Sequence, residues 1–474
     1  MSRTVSAVGP LSVTLLLGLW GITRENSMWR DEAATWEAAH RTIPEIWHLL
    51  GRVDVVHGLY YMFMHVVFAV FGDSLWSLRL PSVLAMACAA VVITLLGDRL
   101  AGRCTGPAAG LAFALLPAVQ QYAQEGRPYA LVTAGVTLAC RLLVAAVDSP
   151  GTGRWAAYGT AVLVAALLNW FSLLVLFAHA VTIALARAPR AIVLRWTCAA
   201  CSAVAGTLPL VIASQAQEGQ IAWIPPIGPS TLLGLALTLL AGALCAWPAR
   251  SRTADGVPGG ARLTLTTLAL PLLVLPPLLL VTVSVAHPVY QTRYILFSYV
   301  GLALLIGTAC DALASRVRSS PRRTIGVLVV LAFLGLLPVQ VSLRSASGRI
   351  DDVLSTARNV AAVREPGDAV LYIPAARRDT ALVSPAAFTG TDDVALVESP
   401  LESGTLNGVE GTPQQIADAM LTARRIVVVT DGGASSPTTA RDRIKQQVLE
   451  AHFIRCSERS ERGREVMVYQ RRRG

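Results

Sequence analysis

Eleven apolar runs dominate the chain, at 8–23, 79–97, 105–119, 129–147, 155–168, 170–186, 196–213, 229–247, 263–286, 294–312 and 325–343. An α-helix rises about 1.5 Å per residue and a hydrocarbon core is about 30 Å thick, so about 20 apolar residues cross it. Most of the runs approach that length, while 105–119 and 155–168 fall short. The stretch 155–186 is long enough for two helices, with Asn169-Trp170 as the turn between them. From Arg344 the pattern changes to short alternations. Ala369–Ile373, Val394–Glu398, Arg425–Thr430 and Glu465–Tyr469 read as strands, and Thr412–Ala423 and Thr438–Ala451 as helices. Strands alternating with helices predict a small α/β domain. The expected architecture is an all-α polytopic membrane protein of about eleven transmembrane helices with a C-terminal α/β domain. The expected boundaries are 1–343 and 344–474.

Composition agrees with the pattern. Charged residues make up 15% of the chain, against about 25% in soluble domains, and mean hydropathy is +0.54. A net charge of +10 would suggest nucleic acid in a soluble protein. Here the arginines concentrate in alternate short loops, so orientation accounts for them and no nucleic-acid partner is expected. With Val8–Ile22 as a retained anchor and the N-terminus inside, the cytoplasmic loops carry Arg99, Arg103, Arg154, Arg187, Arg190, Arg195, Arg250, Arg252, Arg262, Arg316, Arg318, Arg322 and Arg323. The opposite loops are poor in arginine, with Arg127 and Arg293 among the few. Leu59–Phe71 is apolar but only about 20 Å long as a helix, so it is not expected to span. Residues 24–78 therefore read as an external loop with interfacial helices, and residues 344–474 also lie outside. The expected location is the plasma membrane, in contact with its lipids. Seven of the eight cysteines lie in or beside apolar runs, and Cys198-Ala-Ala-Cys201 sits in a hydrophobic helix, so the thiols read as structural.

The outer face then gathers the chemistry. Asp31-Glu32 follows the first run directly, and two carboxylates at a membrane boundary are costly to desolvate. The same loop supplies His57, Tyr60 and Tyr61. The next gives Gln120, Gln121, Tyr122, Gln124, Glu125, Arg127 and Tyr129. Later loops give Gln215, Gln217, Glu218 and Trp223, then His287, Tyr290, Gln291, Arg293 and Tyr294. A carboxylate can take a proton from an acceptor hydroxyl. Arginine pairs with phosphate oxygens and stabilises charge on a leaving group. Together with aromatic faces these suit a sugar carrying a phosphate leaving group. Simpler readings stand beside this one. Acids favour a helix N-terminus, Glu125 and Arg127 suit an ion pair at a helix end, and the tyrosines suit an interfacial belt. His179 reads as a helix-packing histidine.

Four segments resemble the C-type (GT-C fold) glycosyltransferases of the protein O-mannosyltransferase and lipid A aminoarabinose transferase superfamily, in an actinobacterial-type member. They are Trp29-Arg30-Asp31-Glu32, Val56-His57-Gly58-Leu59-Tyr60-Tyr61, Tyr122-Ala123-Gln124-Glu125-Gly126-Arg127-Pro128-Tyr129-Ala130-Leu131 and Gln291-Thr292-Arg293-Tyr294-Ile295-Leu296. The second departs from the family's His-Pro-Pro-Leu-Tyr-Tyr, with one glycine where two prolines are usual. The resemblance implies transfer of a sugar, mannose first, from a polyprenyl-phosphate donor to an acceptor hydroxyl by inverting single displacement. It implies Asp31 as general base with Glu32 in support. Arg127 and Arg293 would hold the donor phosphate and Glu125 would orient Arg127 or the acceptor. His57, Tyr61 and Tyr129 would line the donor site. The acceptor stays open among a protein, a glycan, a lipid and a secreted natural product. No metal ligand set is identified and no cofactor is assigned; metal dependence stays open, and a divalent metal is compatible with the site. The rivals are a lipid-linked sugar flippase and a secondary transporter. A transporter usually needs ionisable groups at mid-membrane, and the runs hold no Asp or Glu there.

Overall fold

Each of the eleven apolar runs holds a helix in the computed structural model, which describes residues 3–217, 219, 224–250, 263–317, 320–433 and 439–472. Among the described residues, six helices are long and apolar enough to cross a membrane: Leu75–Leu100, Tyr129–Asp148, Arg190–Gln215, Pro229–Trp247, Leu265–Ala286 and Pro321–Arg344. The other five are shorter: Arg3–Leu19, Thr105–Leu115, Thr152–Leu168, Val175–Leu185 and Ser298–Ala314. The break expected at Asn169-Trp170 is present. Asn169 ends one helix, and its side chain accepts the Phe171 N–H at 3.0 Å to start a 3-10 turn. Glu218, Trp223, Arg252, Arg262 and Arg318 lie outside the described residues.

The chain divides into two compact units, residues 1–20 with 79–341 and residues 21–78 with 342–474. The first is the helical one. Small residues let its helices touch backbone to backbone, as membrane helices require when no water drives them together. A Cβ at Gly307 would lie 2.7 Å from both the Ala109 Cβ and the Thr105 carbonyl. Ser298–Ala314 is accordingly buried along most of its length. Pro321–Arg344 shows the opposite pattern, with Val327, Leu331 and Leu334 more than half exposed. Apolar surface of that kind fits a lipid environment. Threonines inside the helices, such as Thr133 and Thr137, donate to the carbonyl one turn back and so leave no unmet hydroxyl.

The second unit joins the 21–78 segment to the C-terminal α/β segment. The 21–78 segment, expected as a loop of the membrane domain, thus groups with the C-terminal part of the chain. It forms helices Arg30–His40, Ile43–Leu50 and Gly58–Phe71. Thr42 and Glu45 cap the second of these reciprocally. The described strands of the C-terminal part are β1 Ala369–Ile373, β2 Asp392–Asp393, β3 Leu396–Glu398, β4 Val409–Glu410, β5 Arg425–Asp431, β6 Phe453–Glu461 and β7 Arg464–Arg471. Five of them form one sheet in the order β2-β1-β5-β7-β6, and β3 pairs separately with β4. Strands β2, β1 and β5 run parallel, while β7 and β6 pair antiparallel. Alternation along the strands splits the core in two. Leu371, Ile426 and Val428 face Ile416, Met420 and Leu449, while Val370, Val427 and Val429 face Val360 and Phe388.

Candidate active site

The acidic pair opens a helix. Trp29 is extended, and Asp31 and Glu32 occupy the first turn of Arg30–His40. Just before them Arg24, Glu25 and Asn26 take positive φ of 44°, 55° and 60°. Left-handed backbone costs roughly 1–2 kcal/mol per residue outside glycine, less for Asn. Several contacts hold this turn in place. Arg24 has no exposed side-chain surface, and its guanidinium lies 3.7 Å from the equally buried Glu32 carboxylate. Glu25 accepts the Ala346 N–H at 3.5 Å. Met28 accepts the Val353 N–H at 2.7 Å and donates its own N–H to Asp352 at 3.1 Å. Neighbours on a helix point about 100° apart, so one acid turns inward and the other outward. Glu32 is wholly buried, whereas Asp31 keeps part of its surface.

Further along the helix, Glu37 receives two bonds from Arg41, at 2.8 and 2.5 Å. Burial pushes its carboxyl up to about 7, against the pull of Arg41.

His57, Tyr60 and Tyr61 form a second cluster in the same unit. His57 closes a 3-10 turn, and Gly58 begins the next helix. A Cβ at Gly58 would lie 2.7 Å from the Leu50 Cδ1, so close packing accounts for the glycine here. Asp54, at φ 60°, accepts a short hydrogen bond from the Tyr61 hydroxyl and sits 3.9 Å from the His57 Nε2. Sequence reasoning missed Asp54. Its signal was its place, three residues before His57 and seven before Tyr61. Tyr60 and Tyr61 have no exposed surface, which sets them apart from belt residues at an interface.

The remaining candidates lie in the helical unit. Pro117 starts helix Pro117–Ala123, and Tyr129 starts Tyr129–Asp148. Between them run Glu125, Arg127 and Pro128, with Glu125 and Arg127 buried. Ser82 donates to the Glu125 carbonyl at 2.6 Å. Gln124 donates to the Gly18 and Trp20 carbonyls at 2.8 and 2.7 Å, which ties the turn to the end of the first helix. Arg293 sits in the 3-10 turn Thr292–Ile295 with its guanidinium over two rings, 5.6 Å from Tyr129 and 5.7 Å from Tyr294. Tyr294 stacks on Phe171 at 4.8 Å, and Phe171 on Trp170 at 4.2 Å. Trp170, expected with Asn169 as a turn, and Phe171 thus continue the aromatic stack from Tyr294. A guanidinium held within cation–π reach of two rings is restrained in place while its planar fork can still pair with phosphate oxygens. Gln215 ends its helix, and His287 is exposed beyond another. Tyr290 lines a cavity of about 300 Å³ shared with Thr231, Leu235, Thr238, Pro277 and Tyr299. His179, in Val175–Leu185, is buried between Cys140 and Tyr158, as a packing histidine would be.

The candidates thus fall into two sets, one per unit: Asp31, Glu32, His57 and Tyr61 in one, and Glu125, Arg127, Tyr129 and Arg293 in the other. Among the described residues, no group of three or more His, Cys, Asp or Glu could hold a metal ion.

Residues 59–214 match the family model described as dolichyl-phosphate-mannose-protein mannosyltransferase. That segment includes Tyr61, Glu125, Arg127 and Tyr129. Among solved structures, the chain is similar to ArnT from Cupriavidus metallidurans in the apo state, at 12% identity and a TM-score of 0.65, over 99% of this chain and 98% of that one. It is also similar to the same protein bound to undecaprenyl phosphate, at 12% identity and a TM-score of 0.60, over 98% of each chain. None of the curated proteins matches it by sequence. The chain is a polytopic membrane protein with the GT-C glycosyltransferase fold, and its residues 59–214 match the dolichyl-phosphate-mannose-protein mannosyltransferase family.

Proposed function

We propose that the protein is a membrane glycosyltransferase that moves a sugar, mannose first, from a polyprenyl-phosphate donor to an acceptor hydroxyl at the outer face. The observation that carries the reading is Arg293 held over Tyr129 and Tyr294, in a chain whose fold is that of a protein solved with undecaprenyl phosphate.

In this reading Asp31, the acid of the pair that keeps surface, accepts the proton of the acceptor hydroxyl. The oxygen attacks the anomeric carbon as the bond to the phosphate oxygen breaks, so configuration inverts and polyprenyl phosphate leaves with the electron pair. Arg127 and Arg293 hold that phosphate and stabilise its charge. Glu125 orients Arg127. His57 and Tyr61, fixed by Asp54, shape the sugar pocket, and Tyr129 supports Arg293. Glu32 acts by holding Arg24 and the turn before Asp31. Functionally the division is 1–343 for chemistry and 344–474 for admitting the acceptor.

Purified protein in lipid with polyprenyl-phosphate-mannose tests the reading. General-base catalysis contributes about 10²–10⁴-fold, so Asp31→Asn should lose about that much turnover. Full activity in Asp31→Asn would remove Asp31 as base. Wild type inert toward a panel of lipid-phosphate sugars would remove the class and favour a flippase. The product mass identifies both sugar and acceptor. For orientation, in a background freed of native cysteines, Glu402→Cys should react with an impermeant thiol reagent from outside and Gly153→Cys should not. The reverse pattern would overturn the assigned sides.

A further inference from the structure

Helix Arg30–His40 begins without a cap of its own. Trp29 occupies the N-cap position and offers no side-chain hydrogen bond, although the first N–H groups of a helix need partners. For the Arg30 N–H, and for the Met28 N–H just before the N-cap, the partner comes from more than 300 residues away. Asp351 Oδ1 accepts the Arg30 N–H at 3.1 Å, and Asp352 Oδ1 accepts the Met28 N–H at 3.1 Å. The Val353 N–H completes the set by donating to the Met28 carbonyl at 2.7 Å. Both carboxylates are themselves gripped from the β6–β7 hairpin. Arg462 meets Asp352 Oδ2 at 2.7 Å, and Arg464 meets Asp351 Oδ2 at 3.0 and 3.2 Å. Asp351, Asp352 and Arg464 are almost wholly buried.

We propose that Asp351 and Asp352 are positioning residues for Asp31, with Arg462 and Arg464 as their clamp. The proposal rests on the reading of Asp31 as the base. Its physical content is a division of labour. A Ser, Thr or Asp at position 29 would cap the helix locally and leave its start independent of the hairpin. With Trp29 there, the N–H groups of residues 28 and 30 are fixed through the carboxylates, and Asp31 follows directly. Loss of the carboxylates would let the first turn fray and Asp31 move.

The test uses the full chain in lipid nanodiscs with polyprenyl-phosphate-mannose, and reads turnover together with hydrogen exchange of the 28–32 amides. Asp352→Ala removes the acceptor for the Met28 N–H, the partner of Arg462 and the cap that Asp352 gives the Leu354 N–H of its own helix. A misplacement of about 1 Å can cost about 100-fold, so kcat should fall by about that factor with the donor KM unchanged, and the 28–32 amides should lose protection. Asp352→Asn keeps an oxygen for the Met28 N–H but loses the charge that meets Arg462, so it should recover kcat only to the level of Arg462→Gln. Arg462→Gln loosens the clamp from its partly exposed side and should produce an intermediate loss. If Asp352→Ala fails to accumulate, the Asn and Arg462→Gln variants decide the question by the same two readouts. Unchanged 28–32 protection, or normal kcat per folded molecule alongside a lowered melting temperature, would overturn the proposal and leave a purely structural clamp. An active Asp31→Asn enzyme would instead remove the base assignment, while the exchange result would still report on positioning.

Discussion

Replacing Arg464 with methionine tests how the second unit is held together. Arg464 has no exposed side-chain surface. Its guanidinium makes two bonds to Asp351 at 3.0 and 3.2 Å, two to Asp379 at 2.6 Å each, and one to the Thr380 hydroxyl at 2.7 Å. Burial lowers its pKa, but attraction to Asp379 and Asp351 outweighs that and holds it above the ordinary arginine value. Arg464→Met leaves two carboxylates facing each other without their shared cation. Breaking a buried pair in this way costs about 3–5 kcal/mol. For a unit of roughly 150–250 residues, 1 kcal/mol shifts the melting temperature by about 2–4 °C, so the drop should be about 6–20 °C. The assay is tryptophan fluorescence against temperature in detergent. A triple variant, Asp351→Asn with Asp379→Asn and Arg464→Met, should recover most of the loss. Replacing a whole buried ion cluster by neutral groups is often close to neutral, and the amide oxygen introduced by Asp351→Asn would still accept the Arg30 N–H. A drop for Arg464→Met smaller than about 2 °C, on that same scale, would refute the reasoning. So would a triple variant that melts no higher than the single one.

The remaining predictions concern other charges. Arg293→Ala should raise the donor KM by roughly 10–100-fold, the size of a charge-assisted hydrogen bond of about 1.5–3 kcal/mol. Arg293→Lys should restore only part, because an ammonium lacks the planar fork that pairs bidentately with phosphate; full rescue by lysine would refute a bidentate role. Glu410→Ala should cost about 3–5 kcal/mol, since Glu410 bonds the buried Lys445 at 2.7 and 2.9 Å and Arg378 at 3.0 Å; a thermal melt of full-length protein checks it. Glu37 has its folded carboxyl raised from 4.5 to about 7. The stability this provides is fully present below pH 4.5 and is lost as the pH rises to about 7. Glu37→Gln should therefore flatten a slope of at most about 1.4 kcal/mol per pH unit across that window, and an unchanged slope would exclude Glu37 as its source.

What the sequence made legible followed strong local patterns. The run Ala369–Ile373 is apolar at almost every position, and it became β1 with the expected bounds. The apolar runs became helices because a single segment inside lipid satisfies its own backbone hydrogen bonds only as a helix. Strand β6, Phe453–Glu461, was not legible because it is an edge strand with charged residues along much of its exposed length. Charge is how an edge avoids pairing with other chains, and it also erases the strand signal. The grouping of 21–78 with 342–474 was hidden for a different reason. It depends on Asp351 and Asp352 reaching residues 321 and 324 positions away, and no periodicity reports such a pairing. Arg24 carries no signal in the sequence, because an arginine beside a membrane run normally marks orientation. Only its burial against Glu32 separates it from the rest.

The two acids that stand together in sequence are separated by burial, and burial bears on which could do chemistry. A carboxylate that takes a proton from an acceptor must be reachable within about 2.6–3.2 Å of the hydroxyl it serves. Glu32 has no surface to offer and faces Arg24, which sits in left-handed backbone. Its removal is expected to act through the shape of the turn. Asp31 keeps surface, one residue away and about 100° around the helix. A base held on a flexible loop would lose orientation each time the loop moved. Here the turn before it is fixed on one side by Arg24 and Glu32 and on the other by Asp352. The left-handed residues and the remote cap then have one explanation. Each takes freedom from the same few residues, those that carry Asp31.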